Sequence, residues 1–139
     1  MIWEAIEGFK EEENWGKPLM VNGLLLLLLS AIRKEYKKVD PSASFIIHCA
    51  YAEKGHSNDS QHYDGNAADF HILTSVPYRD QITKVLHILQ GLQVADRVGL
   101  GIYPEWNNKG FHLDVRGTYA RWGQINGKYV GFIDALKEA

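Results

Sequence analysis

Cysteine is nearly absent from this chain of 139 residues, in which Cys49 is the only one. A single cysteine excludes an intrachain disulfide, and it also argues against a zinc site built from cysteine ligands. Cys49 lies in an apolar stretch of sequence. We therefore expect that any metal ion bound by this chain is held by histidine and carboxylate side chains.

An excess of charge of one sign is also missing. Fifteen lysines and arginines stand against seventeen aspartates and glutamates, which gives a formal net charge of −2. No block of like charge forms a tail, so a nucleic-acid partner is not indicated. The length falls within the usual size of one domain, and we expect residues 1–139 to form a single domain and a monomer.

No hydrophobic run is long enough to suggest a transmembrane helix. The longest apolar segment, residues 19–32, contains a run of leucines but is interrupted by Asn22 and Gly23. It is shorter than the ~20 residues that cross a bilayer. The acidic residues 11–13 precede it, where a secretory signal would carry positive charge. We expect a buried helix, no membrane partner, and cytoplasmic synthesis without an export signal.

The residue patterns predict helices first and antiparallel strands later. Helical sequence extends to about residue 38, and a turn follows at residues 40–42. Short runs rich in apolar and β-branched residues predict the strands, and helical spacing predicts two further helices. The predicted strands are residues 44–50, 66–73, 98–103 and 111–115, and the predicted helices are residues 77–92 and 133–139, with a polar loop at residues 53–60. This order favours the α+β class.

Two short segments hold the side chains that could bind a metal. His62 ends a loop and Asp69 lies in the next strand, with Gly65 between them to permit a tight turn. His112 could supply a third ligand and leave a fourth position open to water, as in catalytic zinc sites. Asp114 would face the same side of its strand as His112. Spacing alone leaves an ordinary polar surface loop as the alternative.

The pattern of these residues resembles a known family. The string Ser60-x-His62-x-x-Gly65-x-Ala67-x-Asp69-Phe70, followed by His112-x-Asp114, is similar to the signature of zinc D-alanyl-D-alanine carboxypeptidases and phage L-alanyl-D-glutamate endopeptidases. Their superfamily also contains lysostaphin and the Hedgehog signalling domain, whose zinc loop resembles residues 56–65. The likeness covers about residues 45–122. It implies helices packed on a small, mainly antiparallel sheet of the Hedgehog and D-Ala-D-Ala peptidase type.

The resemblance implies specific roles for these residues. His62, Asp69 and His112 would bind one zinc ion per chain, and His56 would be a pocket residue that could stabilise an oxyanion. Relatives carry an acidic residue three to six positions before the last zinc histidine, but the third position here is Lys109. The acidic residues that remain as candidates for the general base are Glu105, seven positions before His112, and Asp114. We expect Glu105 to be the base and Asp114 to be part of the site.

The implied activity is metal-assisted hydrolysis of peptidoglycan stem or cross-link peptides, in a bacterial or phage lysis setting. Many relatives carry Ser-Gly-Tyr-Arg after the first strand, whereas this chain has residues Cys-Ala-Tyr-Ala at 49–52. The missing arginine leaves carboxypeptidase and endopeptidase both open, with Lys54, Arg116 or Arg121 as substitutes. A non-catalytic Hedgehog-like zinc module and a phage structural component are the alternatives to an enzyme.

The remaining histidines have less specific interpretations. His48 and His87 are expected to be packing or surface residues. His71 lies two residues beyond Asp69 and could face the same pocket, where a supporting role is favoured over metal ligation. Trp106, in the loop before His112, could line a substrate groove.

Overall fold

The computed structural model describes residues 2–139. Three α-helices and a six-stranded sheet make up most of this part of the chain, which confirms the α+β class. The helices are α1 (Gly23–Val39), α2 (Tyr78–Gly91) and α3 (Phe132–Lys137). The strands are β1 (Ser44–Cys49), β2 (Ala67–Leu73), β3 (Gly99–Tyr103), β4 (Gly110–Asp114), β5 (Ala120–Ile125) and β6 (Lys128–Val130).

The strands lie in the order β1-β2-β4-β3-β5-β6. Every neighbouring pair is antiparallel except β3 and β5, which run parallel. The predicted antiparallel pairing of the strands before and after residues 104–109 is confirmed by β3 and β4. The sheet is therefore mainly antiparallel, with one parallel pair near its β6 edge.

The two faces of the sheet have different chemistry because side chains alternate along each strand. On β2 and β4, Phe70, Phe111 and Leu113 point into a core that also contains the buried leucines of α1. The intervening residues, among them Asp69 and His112, point to the opposite face. The helices cover the apolar face, so the polar face is left open for a site.

The leucine-rich segment forms α1, as expected. Asn22 begins the helix, since its side-chain oxygen accepts a hydrogen bond from the backbone N–H of Leu24 at 2.9 Å. Leu25 and Leu29 are fully buried, whereas Leu24 is 61% exposed. No helix in residues 2–139 is long and apolar enough to cross a membrane.

The expectation of helix from the start of the chain is wrong for most of residues 2–22. This part contains two short 3-10 turns, Ile2–Ala5 and Pro18–Met20, joined by irregular backbone. Gly8 and Gly16 have φ angles of +89° and +80°, which a helix cannot accommodate. The segment is nevertheless anchored, because the buried Trp15 accepts a backbone hydrogen bond from Tyr51 at 2.9 Å.

The β5–β6 hairpin was not predicted, although the sequence contains a signal for it. Asn126 and Gly127 form the connection, and both have positive φ angles, 52° and 72°. Asn-Gly is the preferred dipeptide for such a tight hairpin turn. The hairpin matters for the site because it adds Trp122 and Tyr129 to the open face of the sheet.

Candidate metal centre

Three different elements bring the predicted ligands together. His62 lies in the 3-10 turn Gln61–Asp64, which Ser60 caps and Gly65 ends with a φ of +70°. Asp69 and His112 are directly opposite each other on β2 and β4. The candidate ligand atoms of His62, Asp69 and His112 all lie within 4.8 Å of one another. The structure therefore contains a geometric site that is compatible with a metal ion.

The hydrogen bonds of the two histidines fix which ring nitrogen is free. His62 Nδ1 lies 2.6 Å from the carbonyl oxygen of Ala50, which can only accept, so Nδ1 carries the proton. His112 Nε2 donates in the same way to Asp114 Oδ2 at 2.7 Å. In neutral rings, the lone pairs of His62 Nε2 and His112 Nδ1 then both face Asp69 Oδ1, at 3.2 and 3.0 Å.

Three lone pairs that converge without a proton between them repel one another, unless positive charge lies among them. Ligand atoms bound tetrahedrally at 2.0–2.1 Å from a zinc ion are about 3.3 Å apart. The separations of 3.2 and 3.0 Å from Asp69 Oδ1 are close to that value. Two of the three ligand pairs therefore have a spacing close to that of a zinc site, and the third pair, His62 and His112, lies within 4.8 Å, so the set is compatible with a divalent cation.

The ionisation of Asp69 and His112 reflects their mutual contact. Burial by itself raises the pKa of Asp69, but hydrogen bonds and charge from His112 and His62 outweigh it and hold this pKa well below its usual range. Burial by itself lowers the pKa of His112, yet Asp114 and Asp69 together raise it. The site therefore favours an ionised carboxylate and positive charge beside it.

Asp114 is fully buried behind His112, and its carboxylate is surrounded by donors. Oδ2 accepts hydrogen bonds from His112 and from Arg116 Nη2, both at 2.7 Å. Oδ1 accepts from Arg116 Nε at 2.8 Å and from the backbone N–H of Gly99 at 3.2 Å. Asp114 therefore fixes the ring orientation and tautomer of His112, which is the usual part of a carboxylate behind a metal-binding histidine.

Glycines on β3 make room for these groups. A side chain at Gly99 would lie 2.6 Å from the Asp114 carboxylate, and one at Gly101 would lie 2.7 Å from the indole of Trp122. Trp122 lies beside His112, with ring centroids 5.0 Å apart, and its Nε1 donates to Tyr103 at 3.0 Å. Tyr103 and Trp122 thus enclose the centre on its β3 side, a role that the residue pattern had not indicated for either.

A cavity of about 710 Å³ opens above the centre. Its floor contains the three candidate ligands, and the loop at residues 55–61 forms one wall. Aromatic side chains form a second wall, in which Tyr103 and Trp106 stack with centroids 4.3 Å apart. The remaining aromatic members of this wall are Trp122 and Tyr129. A volume of this size lies in the range of ligand-binding cavities.

His56 and Glu105 have different relations to this cavity. His56 lines it and stacks on His62, with ring centroids 4.2 Å apart. Burial, and then the nearby His62, lower the pKa of His56. Glu105 lies outside the set of residues that line the cavity, and its carboxylate accepts a hydrogen bond from the backbone N–H of Asn126 at 2.6 Å. Glu105 therefore braces the β5–β6 turn in this arrangement.

Cys49 faces the centre, although its sequence context suggested otherwise. Alternation along β1 would put it on the core side with Phe45 and Ile47, but a bulge after Ile47 brings Cys49 opposite Asp69. Its Sγ lies 3.4 Å from Asp69 Oδ2. Burial, and then Asp69, raise the pKa of the Cys49 thiol to about 12.

His48 also lies on the open face, where alternation with Ile46 places it. His48 Nε2 and His71 Nδ1 are 2.6 Å apart, and Trp106 lies against His48 with ring centroids separated by 5.2 Å. His71 therefore pairs with His48 and contributes no atom to the group formed by His62, Asp69 and His112. His87 is exposed on α2, away from the centre.

Comparison with known proteins adds no assignment. No family model, no curated protein and no solved structure matches this chain.

Proposed function

We propose that this chain is a zinc-dependent peptidase that hydrolyses peptidoglycan stem or cross-link peptides, with the Hedgehog and D-Ala-D-Ala peptidase type of fold. The observation that carries the proposal is the convergence of three metal-binding lone pairs, from His62, Asp69 and His112, at the floor of an open cavity. Three protein ligands facing a cavity are typical of catalytic zinc. The resemblance of the ligand string to wall peptidases supplies the substrate class.

Each residue of the centre has a part in this proposal. His62, Asp69 and His112 hold the ion, and the buried Asp114 keeps His112 in the tautomer that binds it. A zinc ion in this position would polarise the scissile carbonyl and activate a water molecule for attack. His56, on the cavity wall beside His62, donates a hydrogen bond to the oxygen on which negative charge develops.

The proton of the attacking water must pass to a base that is free to accept it. Asp114 is unsuited, since donors from His112, Arg116 and Gly99 already surround its oxygens. Glu105 is exposed and is held by one backbone N–H, that of Asn126. We therefore assign Glu105 as the base, on condition that its carboxylate leaves Asn126 when a substrate is bound.

The charge of the cavity favours an endopeptidase over a carboxypeptidase. Arg116 is the only lysine or arginine among the described residues that line the cavity, and Asp114 already pairs with it at 2.7 Å. A carboxypeptidase needs a free cation for the terminal carboxylate of its substrate. The paired guanidinium of Arg116 suits a peptide without that terminal charge.

A non-catalytic zinc-binding module is the second candidate, and one observation favours it. Both carboxylates that could act as the base, Asp114 and Glu105, are hydrogen-bonded to the protein in this arrangement. In such a module, the metal would hold the loop at residues 55–61 on the sheet, and the cavity would bind a partner without cleaving it.

Zinc content and peptide cleavage separate these functions. Elemental analysis of the purified protein is expected to give about one zinc per chain, and His62→Ala or Asp69→Ala should abolish most of it. The exposed His87→Ala is the matched control and should keep its zinc. A protein without zinc in this assay would contradict the metal centre itself.

Cleavage is measured on purified muropeptides by mass spectrometry of the products. We expect the zinc-loaded protein to release a new peptide terminus, with kcat reduced about 100-fold or more in Glu105→Gln. His56→Ala should also lower kcat, by about 10- to 100-fold. Tight zinc binding without any cleavage would reject the enzyme and favour the non-catalytic module.

A further inference from the structure

A second group of metal-binding atoms overlaps the first. The candidate ligand atoms of Cys49, His56 and His62 lie within 4.8 Å of one another, as do those of His62, Asp69 and His112. The first group has a sulfur and two nitrogens, whereas the second has two nitrogens and an oxygen. Sulfur ligands select soft cations, while imidazole and carboxylate suit zinc and harder ions.

The backbone of β1 directs Cys49 into this group. The bulge after Ile47 turns Cys49 from the core side of the sheet to the side of Asp69. Bulges commonly redirect a side chain next to a functional site. A thiol that merely packed would stay on the apolar face, beside Phe45 and Ile47.

His56 completes the group from the loop above β1. Its backbone is fixed, because His56 N–H donates to Tyr63 Oη at 2.9 Å and Tyr63 Oη donates to the His56 carbonyl at 2.7 Å. Its ring is exposed and lies on His62 with an angle of 19° between the planes. A ring nitrogen of His56 thus lies within 4.8 Å of the ligand atoms of Cys49 and His62 while the His56 backbone is held in place.

His62 belongs to both groups but has one free nitrogen. Because His62 Nδ1 donates to the Ala50 carbonyl, Nε2 alone can bind an ion. The two groups therefore cannot be filled at the same time. We propose that Cys49, His56 and His62 form a second metal site, which takes soft divalent cations such as Cd²⁺ and excludes the ion held by His62, Asp69 and His112. Binding forms a metal–sulfur bond and releases the Cys49 thiol proton to the solvent.

Cadmium titration of the full chain tests this proposal without any peptidase assay. Coordination by a thiolate produces a sulfur-to-cadmium charge-transfer absorption in the ultraviolet. Since Cys49 is the only cysteine, this absorption can arise only from Cys49. We expect it to saturate at about one Cd²⁺ per chain and to disappear in Cys49→Ser. Absence of the absorption in the unaltered protein would overturn the proposal.

Two histidine variants distinguish the second site from a simple extension of the first. His112 belongs only to the oxygen-containing group, so His112→Ala should keep the absorption while losing zinc affinity. His56→Ala should weaken Cd²⁺ binding about tenfold or more, since it removes a ligand. Loss of the absorption in His112→Ala, or unchanged Cd²⁺ affinity in His56→Ala, would overturn the assignment.

Folding and occupancy are checked on the same samples. Far-ultraviolet circular dichroism should be the same for the unaltered protein, for each variant and for the control His87→Ala, which lies on the exposed side of α2. Added chelator should remove the bound Cd²⁺ and with it the charge-transfer absorption. An absorption that is unchanged by excess chelator would contradict a metal–sulfur bond.

Discussion

At the scale of single residues, His112 depends on the carboxylate behind it. Asp114 accepts the His112 Nε2 proton at 2.7 Å, and every other atom that contacts its oxygens is also a donor. An ionised carboxylate satisfies this environment because it has only acceptors to offer. It also leaves Nδ1 of His112 as the lone pair that faces Asp69.

Asp114→Asn tests that dependence with little change of shape. An amide places an N–H among donors in either orientation, so we expect zinc affinity to fall about 10- to 100-fold. The unfolding free energy should fall by about 1–3 kcal/mol, since a buried donor loses its acceptor. Competition with a chromogenic chelator measures the affinity, and urea unfolding measures the stability.

Asp134→Asn is the control for that substitution. The Asp134 side chain is 70% exposed on α3 and makes no contact with the centre. The unfolding free energy of Asp134→Asn should therefore stay within about 0.5 kcal/mol of that of the unaltered protein. Zinc affinity in Asp114→Asn equal to that of this control would show that Asp114 does not orient His112.

The site residues differ in how far the sequence could reveal them. His62, Asp69 and His112 were predicted from a short string that resembles the signature of a known family, and the structure brings them together. Cys49 was not predicted to lie at the centre. A β-bulge changes the face of the sheet that Cys49 occupies, and the alternation of apolar residues does not reveal a bulge. The hydrogen bond of Glu105 to Asn126 depends on a turn 21 residues away, which local patterns do not determine.

At the scale of elements, the turn that holds His62 depends on its glycine. Gly65 ends this turn with a φ of +70° and donates its N–H to the His62 carbonyl at 3.1 Å. A side chain there would also lie 1.9 Å from the Met20 carbonyl oxygen. Gly65→Ala thus combines an unfavourable backbone conformation with a steric clash.

Gly65→Ala is expected to lower the unfolding free energy by about 2–4 kcal/mol, the sum of backbone strain and overpacking. Zinc affinity should fall as well, because His62 moves with the turn. Gly117→Ala is the matched control, since Gly117 also has a positive φ, +93°, but has nothing within 4 Å of an added side chain. Gly117→Ala should lower the unfolding free energy by only about 1 kcal/mol and should leave zinc affinity unchanged. Equal effects of the two substitutions on stability and on zinc would contradict this role of Gly65.

Elements with strong local patterns were predicted well, and those that depend on distant contacts were not. The spacing of Ile82, Val85 and Leu89 gave α2, and all three are fully buried. The short β6 pairs only with β5, and its residues are mostly exposed, so it has no apolar alternation to indicate a strand. Its position beside the centre follows from the parallel pairing of β5 with β3, which is a long-range contact.

At the scale of the whole molecule, the hydrophobic core and the candidate centre lie on opposite faces of one sheet. The helices and the inner residues of the strands form a continuous apolar cluster, which contains none of the three candidate ligands. Most of the buried apolar surface is therefore independent of the metal. The fold should persist without the ion, in contrast to small zinc domains that unfold when the metal is removed.

Removal of the metal tests whether the hydrophobic core is independent of the candidate centre. A ligand that binds only the folded state stabilises it by about 2.7 kcal/mol at a free concentration of 100 Kd. For a chain of this size, removing zinc with a chelator should lower Tm by roughly 5–10 °C. The far-ultraviolet circular dichroism at 25 °C should remain unchanged, since α1, α2 and the sheet keep their core.

His62→Ala should show no response to the chelator, because it lacks a ligand of the centre. If the chelator instead unfolds the protein at 25 °C, the ion is a structural requirement of the fold, and the non-catalytic zinc module becomes the better description of this chain.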